Sequence, residues 1–205
     1  MPAAASSQPR LILASASPRR QQLLRNAGYA FLVKPADIDE DNHAPMLPAD
    51  LAEFLASQKA QAVARHHPHD VVLGADTVVA FGDEIVGKPR DAADARRMLR
   101  LLAGTTHVVI TGVAVVRAAT AFFTAARVMS AVHMRDLTDA EIDRYVATRQ
   151  WEGKAGGYGI QDDDPFVTRM SGSHTNIVGL PITTAKDLLA SAGIYPVKQK
   201  DEDGG

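Results

Sequence analysis

The stretch Leu11-Ile12-Leu13-Ala14-Ser15-Ala16-Ser17-Pro18-Arg19-Arg20 decides how the fold of this chain begins. Its first four residues are apolar and predict a strand, and the composition after Pro18 predicts a helix that ends before Gly28. Ser17 suits the N-cap of that helix, and Pro18 suits its first position. The stretch therefore predicts a strand, a short loop and a capped helix.

Arg19 and Arg20 fall in the first turn of this helix, where the helix dipole is positive. A cation there costs about 0.3–1 kcal/mol. Because the hydroxyls of Ser15 and Ser17 and free backbone N–H groups lie beside the two arginines, the site is suited to an anion such as phosphate. The alternative is a capped surface helix with two solvated arginines.

The composition is that of an ordinary globular protein. The chain has 205 residues, of which 46% are hydrophobic and 22% charged, and it has no cysteine. We expect one domain over residues 10–196 between disordered tails at 1–9 and 197–205. The lack of cysteine excludes thiol catalysis and zinc–thiolate sites. A net charge of −2 gives no global attraction to nucleic acid or membrane. Since neither a membrane span nor a signal peptide is evident, we expect a cytoplasmic protein.

Strands and helices alternate along the first half of the chain, and a β-rich middle follows. The most apolar stretch, Val71 to Ala80, predicts an interior strand, and His107 to Arg117 and Ala121 to His133 predict a long antiparallel pair. Helices are expected over 50–66, 91–102, 138–148 and 181–192, and short strands over 30–33, 166–170 and 177–178. These elements indicate an α/β fold with a mixed sheet, flanking helices and a central cleft between two lobes.

Asp76 places a carboxylate inside the predicted interior strand. Such a group is costly to bury unless it is paired, bound to a metal or at a strand end that faces a cleft. Asp76 is therefore the strongest candidate for a catalytic acid–base or metal-binding group, and a structural aspartate that caps a turn is the alternative. The acidic stretch Asp37 to Asp41 contains Glu40 and offers hard oxygen ligands for Mg²⁺, or else is a solvated loop.

Two lysines, Lys59 and Lys88, lie in segments that the sequence predicts to be a helix and a loop. Lys59 lies among the apolar residues of the second predicted helix, where a lysine is expected to extend its ammonium to solvent. Lys88 ends a segment that resembles a phosphate-binding P-loop, but Pro89 stands where such a loop has Ser or Thr. We predict instead a hairpin turn at Gly82-Asp83 and a short strand, with Lys88 able to reach a phosphate as a point charge.

A glycine-rich stretch runs from Glu152 to Gln161, with four glycines in the seven positions 153–159. Such a loop lets the backbone approach a ligand closely. Lys154 and Gln161 could add charge and amide recognition, whereas the alternative is a flexible lid without contacts. The run 162–164 of three aspartates that follows is either metal-facing or solvated.

Together these stretches resemble the Maf family of nucleoside triphosphate pyrophosphatases, once described as septum-formation inhibitor proteins. The resemblance extends from about Leu11 to Ala192. Each motif alone is weak, but their succession in this order is specific. The matching segments lie at 13–15, 17–20, 37–40, 59–60, 74–79, 87–91, 154–156, 158–161 and 178–181.

The resemblance implies a fold like that of the inosine-triphosphate pyrophosphatases. It also implies hydrolysis of a nucleoside triphosphate between the α and β phosphates with a divalent metal, Mg²⁺ or Mn²⁺. Asp76 would be the catalytic proton acceptor. The other residues implied are Glu40, Lys59 and Lys88 in the catalytic group, Asp76 and Glu40 as metal ligands, and Ser15, Arg19, Arg20, Thr77 and Gln161 as substrate-binding residues.

Three of these positions indicate which nucleobase the protein accepts. Arg19, Thr77 and Gln161 resemble the subgroup that acts on dTTP and UTP, and they argue against the 7-methyl-GTP subgroup. The alternative belongs to another class of function: a nucleotide-binding regulator of cell division and septum formation with weak or no catalysis. The nucleoside triphosphate is the expected partner, a homodimer is allowed, and neither nucleic acid nor membrane is expected.

The chain departs from the family pattern in three places. Gly153 replaces the usual aspartate before Lys154, His174 replaces a tyrosine, and Asp162 follows Gln161 where glycine is common. Glu152 or the aspartates from Asp162 onward could replace the lost carboxylate. We expect these departures to affect efficiency and metal geometry rather than the class of reaction.

Overall fold

One mixed β-sheet organises the structure, a computed structural model that describes residues 9–40, 44–162 and 166–197. Its seven strands within those ranges are β1 (Leu11–Leu13), β2 (Leu32–Val33), β3 (Val71–Phe81), β4 (Glu84–Val86), β5 (Thr106–Arg117), β6 (Phe122–Met134) and β7 (Val167–Ser171). The helices are α1 (Pro18–Asn26), α2 (Pro48–Ala64), α3 (Ala92–Leu102), α4 (Asp139–Ala147), α5 (His174–Val178) and α6 (Ile182–Ser191), with 3₁₀ turns at Ala118–Thr120 and Ala155–Gly157.

Strand β3 lies in the middle of the sheet, whose order is β2-β1-β3-β5-β6-β7 with β4 paired to β3. Strand β1 runs parallel to β2 and β3, and the remaining pairs are antiparallel. A strand with neighbours on both edges and helices on both faces has no solvated side, which explains the continuous apolar run of β3. The predicted α/β class with a mixed sheet and flanking helices is confirmed.

The side chains of β3 alternate between two helical layers. Val71, Leu73 and Ala75 pack in one apolar cluster with α1 and α6, whereas Val72 packs with α2 on the opposite face. The period of two along a strand therefore sends neighbouring residues to different layers. The same alternation places Asp76 and Thr77 on opposite faces of the sheet.

Helix α2 lies directly on the sheet because glycines stand beneath it. A Cβ on Gly74 would lie 2.3 Å from the carbonyl oxygen of Ala56, and one on Gly112 would lie 2.2 Å from that of Ala52. Neither glycine leaves room for a side chain. This close approach brings the middle of α2 against the centre of β3, where Asp76 stands opposite Gly112 in the register.

Both ends of α1 and the start of α4 match their predicted capping residues. The Ser17 hydroxyl accepts a hydrogen bond from the Arg20 backbone N–H at 3.5 Å, and Gly28 follows α1 with φ +84°. Thr138 and Glu141 form a reciprocal capping box at the start of α4. Local sequence signals thus fixed these boundaries.

Some predicted boundaries were wrong. Residues 177–178 belong to helix α5 and not to a strand, because the Ser173 hydroxyl caps that helix by accepting from the Asn176 N–H at 3.2 Å. Strand β2 is shorter than predicted, and α2 begins at Pro48, before Asp50. Residues 1–8 and 198–205 of the predicted tails lie outside the described residues, as do Asp41, Asp163 and Asp164. Over the described ranges, no helix combines the length and apolar character needed to cross a membrane.

Candidate functional site

A cleft of about 460 Å³ opens between the first strand–loop–helix unit and the glycine-rich loop. All nine side chains that the sequence proposed for the site line it, namely Ser15, Arg19, Arg20, Glu40, Lys59, Asp76, Thr77, Lys88 and Gln161. Among the described residues of the lining, cationic side chains outnumber anionic ones by five to three. The cations are Arg19, Arg20, Lys59, Lys88 and Lys154, and the anions are Glu40, Asp76 and Asp162.

The ammonium of Lys59 lies between two carboxylates. Its Nζ is 2.5 Å from Asp76 Oδ1 and 2.8 Å from Glu40 Oε1, and the side chains of Lys59 and Asp76 are 9% and 8% exposed. The expectation that Lys59 extends to solvent was therefore wrong. Because α2 packs against the bare backbone of Gly74, its Lys59 reaches Asp76 on the same face of the sheet. The ion pair compensates the burial of both charges.

Glu40 connects this pair to a second lysine. Its Oε2 accepts a hydrogen bond from Lys88 Nζ at 3.1 Å, and Lys88 is half exposed at the cleft. Burial alone would raise the pKa of Glu40, but hydrogen bonds and charge from Lys59, followed by those from Lys88, bring that pKa below its ordinary value. Glu40 is therefore ionised at neutral pH.

Arg20 is fixed from three sides by neutral acceptors. Its Nε donates to the Gly179 carbonyl oxygen at 2.8 Å, its Nη1 to Ser15 Oγ at 3.2 Å, and its Nη2 to Thr77 Oγ1 at 3.0 Å. Burial lowers the pKa of Arg20, and the charge of Asp76 opposes that change. An arginine nevertheless keeps its charge in proteins.

Within the described part of the chain, neither Arg19 nor Arg20 forms an ion pair, whereas Lys59, Lys88 and Lys154 all do. The two arginines lie at the N-terminus of α1, where the backbone adds further positive potential. This end of the cleft thus has two cations without a carboxylate in contact among the described residues, and an anion would supply such a partner.

A hydroxyl network behind Arg20 was not predicted from the sequence. Thr77 Oγ1 lies 2.9 Å from Thr111 Oγ1, and the Thr111 hydroxyl donates to the Asn176 carbonyl oxygen at 3.0 Å. Thr77 and Thr111 face each other in the β3–β5 register. Only that register reveals the pair, because no sequence spacing relates the two residues.

The glycine-rich loop is folded against the cleft and is not a lid without contacts. Gly156 and Gly157 have φ of +74° and +73°, a conformation that side chains disfavour, and both are buried. Lys154 forms its ion pair with Asp162. The carboxylate next to Lys154 is thus supplied by Asp162, one of the three departures from the family pattern. A second departure, Gly153, has open space where a Cβ would lie.

The chain is similar to known proteins over most of its length. Three of the curated relatives that are called dTTP/UTP pyrophosphatase show this similarity in identity and coverage. The protein from Anaeromyxobacter dehalogenans (strain 2CP-C) is 50% identical over 90% of this chain and 95% of its own length. That from Cereibacter sphaeroides is 48% identical over 90% and 95%, and that from Caulobacter vibrioides is 46% identical over 92% and 98%.

Among solved structures, a HAM1 protein from Coxiella burnetii is similar with a TM-score of 0.41 and 14% identity over 62% of this chain and 73% of that one. The assignment of a family does not depend on this likeness. The model of a family described as Maf-like protein matches residues 10–192, which include every side chain of the cleft named above. The chain therefore belongs to the Maf-like protein family.

Proposed function

We propose that this protein hydrolyses dTTP and UTP to the nucleoside monophosphate and pyrophosphate. One observation carries the proposal: the arginines at the N-terminus of α1, which form no ion pair within the described residues, share one cleft with the buried Asp76–Lys59 pair and its neighbour Glu40. The positive end suits a triphosphate, and the carboxylates suit the activation of water. The names of the relatives that cover most of this chain support the same reaction.

Catalysis requires that charge on the leaving pyrophosphate be neutralised. Arg20 is held by Gly179, Ser15 and Thr77, so its guanidinium is oriented before any substrate arrives. Such preorganised cations stabilise developing charge without further rearrangement. Lys88, which is half exposed at the cleft and paired with Glu40, is a second cation within the same lining.

Asp76 is the proposed base. Its carboxylate is buried at the cleft beside the ammonium of Lys59, which compensates its charge. From this position it would orient and deprotonate the water that attacks the α-phosphorus, and the proton would pass to the Asp76 carboxylate. Lys59 keeps the carboxylate in place through its hydrogen bond.

A divalent cation is part of the proposal, and the donor set fits one. Within the described residues no group of three or more metal-binding side chains occurs. Asp76 and Glu40, however, already converge on one positive centre, the Lys59 ammonium. Mg²⁺ is commonly held by one or two carboxylates together with substrate phosphates, so these two residues would hold it. When bound, the cation would neutralise phosphate charge.

Gln161 is the proposed contact to the base. It is exposed at the cleft, and its amide offers both a donor and an acceptor, as the edge of uracil or thymine requires. Thr77 acts through Arg20, from which its hydroxyl accepts a hydrogen bond.

The cytoplasmic location and a homodimer stay predictions.

A pyrophosphate-release assay over canonical and modified nucleoside triphosphates, with Mg²⁺ or Mn²⁺, tests the proposal. We expect turnover of dTTP and UTP, and a fall of about a hundredfold or more in Asp76→Asn, the usual effect of losing a general base. Asp187→Asn, on the exposed side of α6, is the matched control and should keep wild-type rates. Nucleotide binding without turnover of any substrate would favour the regulatory alternative, and full activity in Asp76→Asn would overturn the assigned base.

A further inference from the structure

One carboxylate, that of Asp162, closes the end of the glycine-rich loop. Its Oδ2 accepts hydrogen bonds from the Gly159 N–H at 2.8 Å and from the Tyr145 hydroxyl at 2.6 Å. Its Oδ1 accepts from Lys154 Nζ. A backbone hydrogen bond from the Asp162 N–H to the Gly159 carbonyl oxygen, 3.2 Å long, completes the turn. Both carboxylate oxygens therefore tie the turn 159–162 to other parts of the fold.

The turn is packed tightly under this ion pair. A Cβ on Gly159 would lie 2.6 Å from Asp162 Oδ1 and 2.8 Å from Lys154 Nζ. The side chains of Lys154 and Asp162 are each only 12% exposed, so water contributes little to screening them. Gly159 and Asp162, on either side of Gln161 in this turn, are therefore both held by contacts within the loop.

Tyr145 anchors the turn to the protein core. The residue is 6% exposed, and its ring packs edge-on against Phe166 with centroids 4.8 Å apart. Burial, followed by the hydrogen bond to Asp162, raises the pKa of Tyr145, so the phenol stays protonated and donates. The loop is thus fixed to helix α4, which lies outside the cleft.

We propose that Asp162 is a positioning residue for base selection, which holds Gln161 at the cleft by binding Gly159, Lys154 and Tyr145 at once. Asp162 acts without touching the substrate: its oxygens are already occupied by protein donors, and Gln161, in the same turn, is the exposed member. This inference rests on the proposed function, because it assumes that Gln161 contacts a pyrimidine.

The test compares kcat and KM for UTP, dTTP and CTP in four variants. Asp162→Ala removes all three side-chain contacts, Asp162→Asn keeps the shape but loses the charge, and Tyr145→Phe removes only the hydroxyl. Asp143→Asn is the matched control on α4, since its carboxylate binds Arg96 on the outer surface. Cytosine replaces a carbonyl acceptor by an amino donor, so CTP reports on how well the Gln161 amide is placed.

We expect Asp162→Ala to raise KM for UTP and dTTP about tenfold, and to lower the preference for UTP over CTP by a similar factor, with kcat changed less than about threefold. Asp162→Asn and Tyr145→Phe should lie between this variant and the wild type, and Asp143→Asn should match the wild type. The melting temperature of each variant is measured in parallel. A stability loss with unchanged base preference would show a purely structural role and overturn the inference, as would an equal fall of kcat for all three nucleotides.

The two proposals fail in different ways. If the wild type hydrolyses UTP and the Asp162 variants keep its base preference, only the inference is wrong. If the wild type turns over no nucleotide, the proposed function is wrong, and the inference is then decided by calorimetric binding of UTP and CTP to the same variants. Unchanged discrimination in binding, or no binding of either nucleotide by the wild type, would overturn it.

Discussion

At the scale of single residues, the cleft depends on how each charge is compensated. Lys59, Lys88 and Lys154 have carboxylate partners, while Arg20 is held by neutral oxygens alone. A lysine in contact with a carboxylate contributes less net attraction for an anion than an oriented guanidinium that has no carboxylate in contact. We therefore expect the chemical difference between Arg and Lys to affect binding at position 20.

Arg20→Lys should raise KM for dTTP and UTP about tenfold or more, although the charge is conserved. A lysine ammonium cannot reproduce the planar set of three bonds to Gly179, Ser15 and Thr77. The measurement is steady-state pyrophosphate release. Arg25→Lys, on the exposed part of the same helix, serves as the control and should leave KM unchanged. Equal KM values in both variants would contradict the role given to the Arg20 geometry.

His107 gives the folded state a dependence on pH. It is 1% exposed, its Nε2 lies 2.5 Å from the Tyr158 hydroxyl, and its Nδ1 has no partner among the described residues. Burial, with a smaller effect from the charge of His133, lowers the pKa of His107 from 6.5 to about 4. The folded protein therefore resists protonation that the unfolded chain accepts.

Because the folded pKa is below the unfolded one, this stabilisation is fully present above pH 6.5 and is lost as the pH falls toward about 4. Over this range the free energy of unfolding falls by up to about 1.4 kcal/mol for each pH unit of acidification. Urea unfolding between pH 4.5 and 7.5 measures it. His107→Phe should be less stable at neutral pH, but its free energy of unfolding should no longer show this dependence on pH. His66→Gln, at an exposed position, should show the same pH dependence as the wild type. A slope in His107→Phe equal to the wild-type slope would contradict the assignment.

At the scale of elements, the contact between α2 and the sheet positions the Lys59–Asp76 pair to which we assign catalysis. The helix supplies Lys59 and the strand supplies Asp76, and their contact requires two backbones to approach without side chains between them. Glycines at 74 and 112 make that approach possible. Stability and activity are consequently coupled at this interface.

Gly112→Ala should destabilise the fold by about 3 kcal/mol and reduce turnover, because its methyl group would lie 2.2 Å from the Ala52 carbonyl oxygen and displace α2. Thermal unfolding and pyrophosphate release are the two measurements. For stability, Gly87→Ala is the matched control, since nothing lies within 4 Å of a Cβ there and its φ is not positive. Wild-type stability in Gly112→Ala would contradict this prediction, because it would mean that α2 can move away from the sheet without a cost in free energy.

At the scale of the whole molecule, charge is distributed unevenly. The chain carries a net charge of −2, yet the cleft has more cations than anions among its described residues. Local potential, not net charge, attracts a ligand to a concave site. The cleft forms where the first strand–loop–helix unit, the middle of α2 and β3, and the loop 153–162 meet, and these lie far apart in the sequence.

Much of this architecture could be predicted from local sequence. The alternating elements, the capped helices and the interior strand with its single carboxylate follow from periodicity, capping and burial costs, which depend on neighbouring residues. Helix α5 was missed because a pair of apolar residues is too short to show a period, and the Ser173 cap was not recognised as the start of a helix. The nine proposed residues were named from the sequence, but most of them through a family resemblance.

The sequence alone determined that this is an α/β protein of the Maf family type with Arg19, Arg20 and Asp76 as candidate ligands for an anion and a metal, because these signals are local or lie in ordered motifs. Only the tertiary structure decided that Lys59 is buried between Asp76 and Glu40, that Arg20 has no carboxylate partner among the described residues, and that Asp162 closes the loop onto Tyr145. Each of these depends on register and on the close packing of elements distant in the chain, and no local pattern records such contacts.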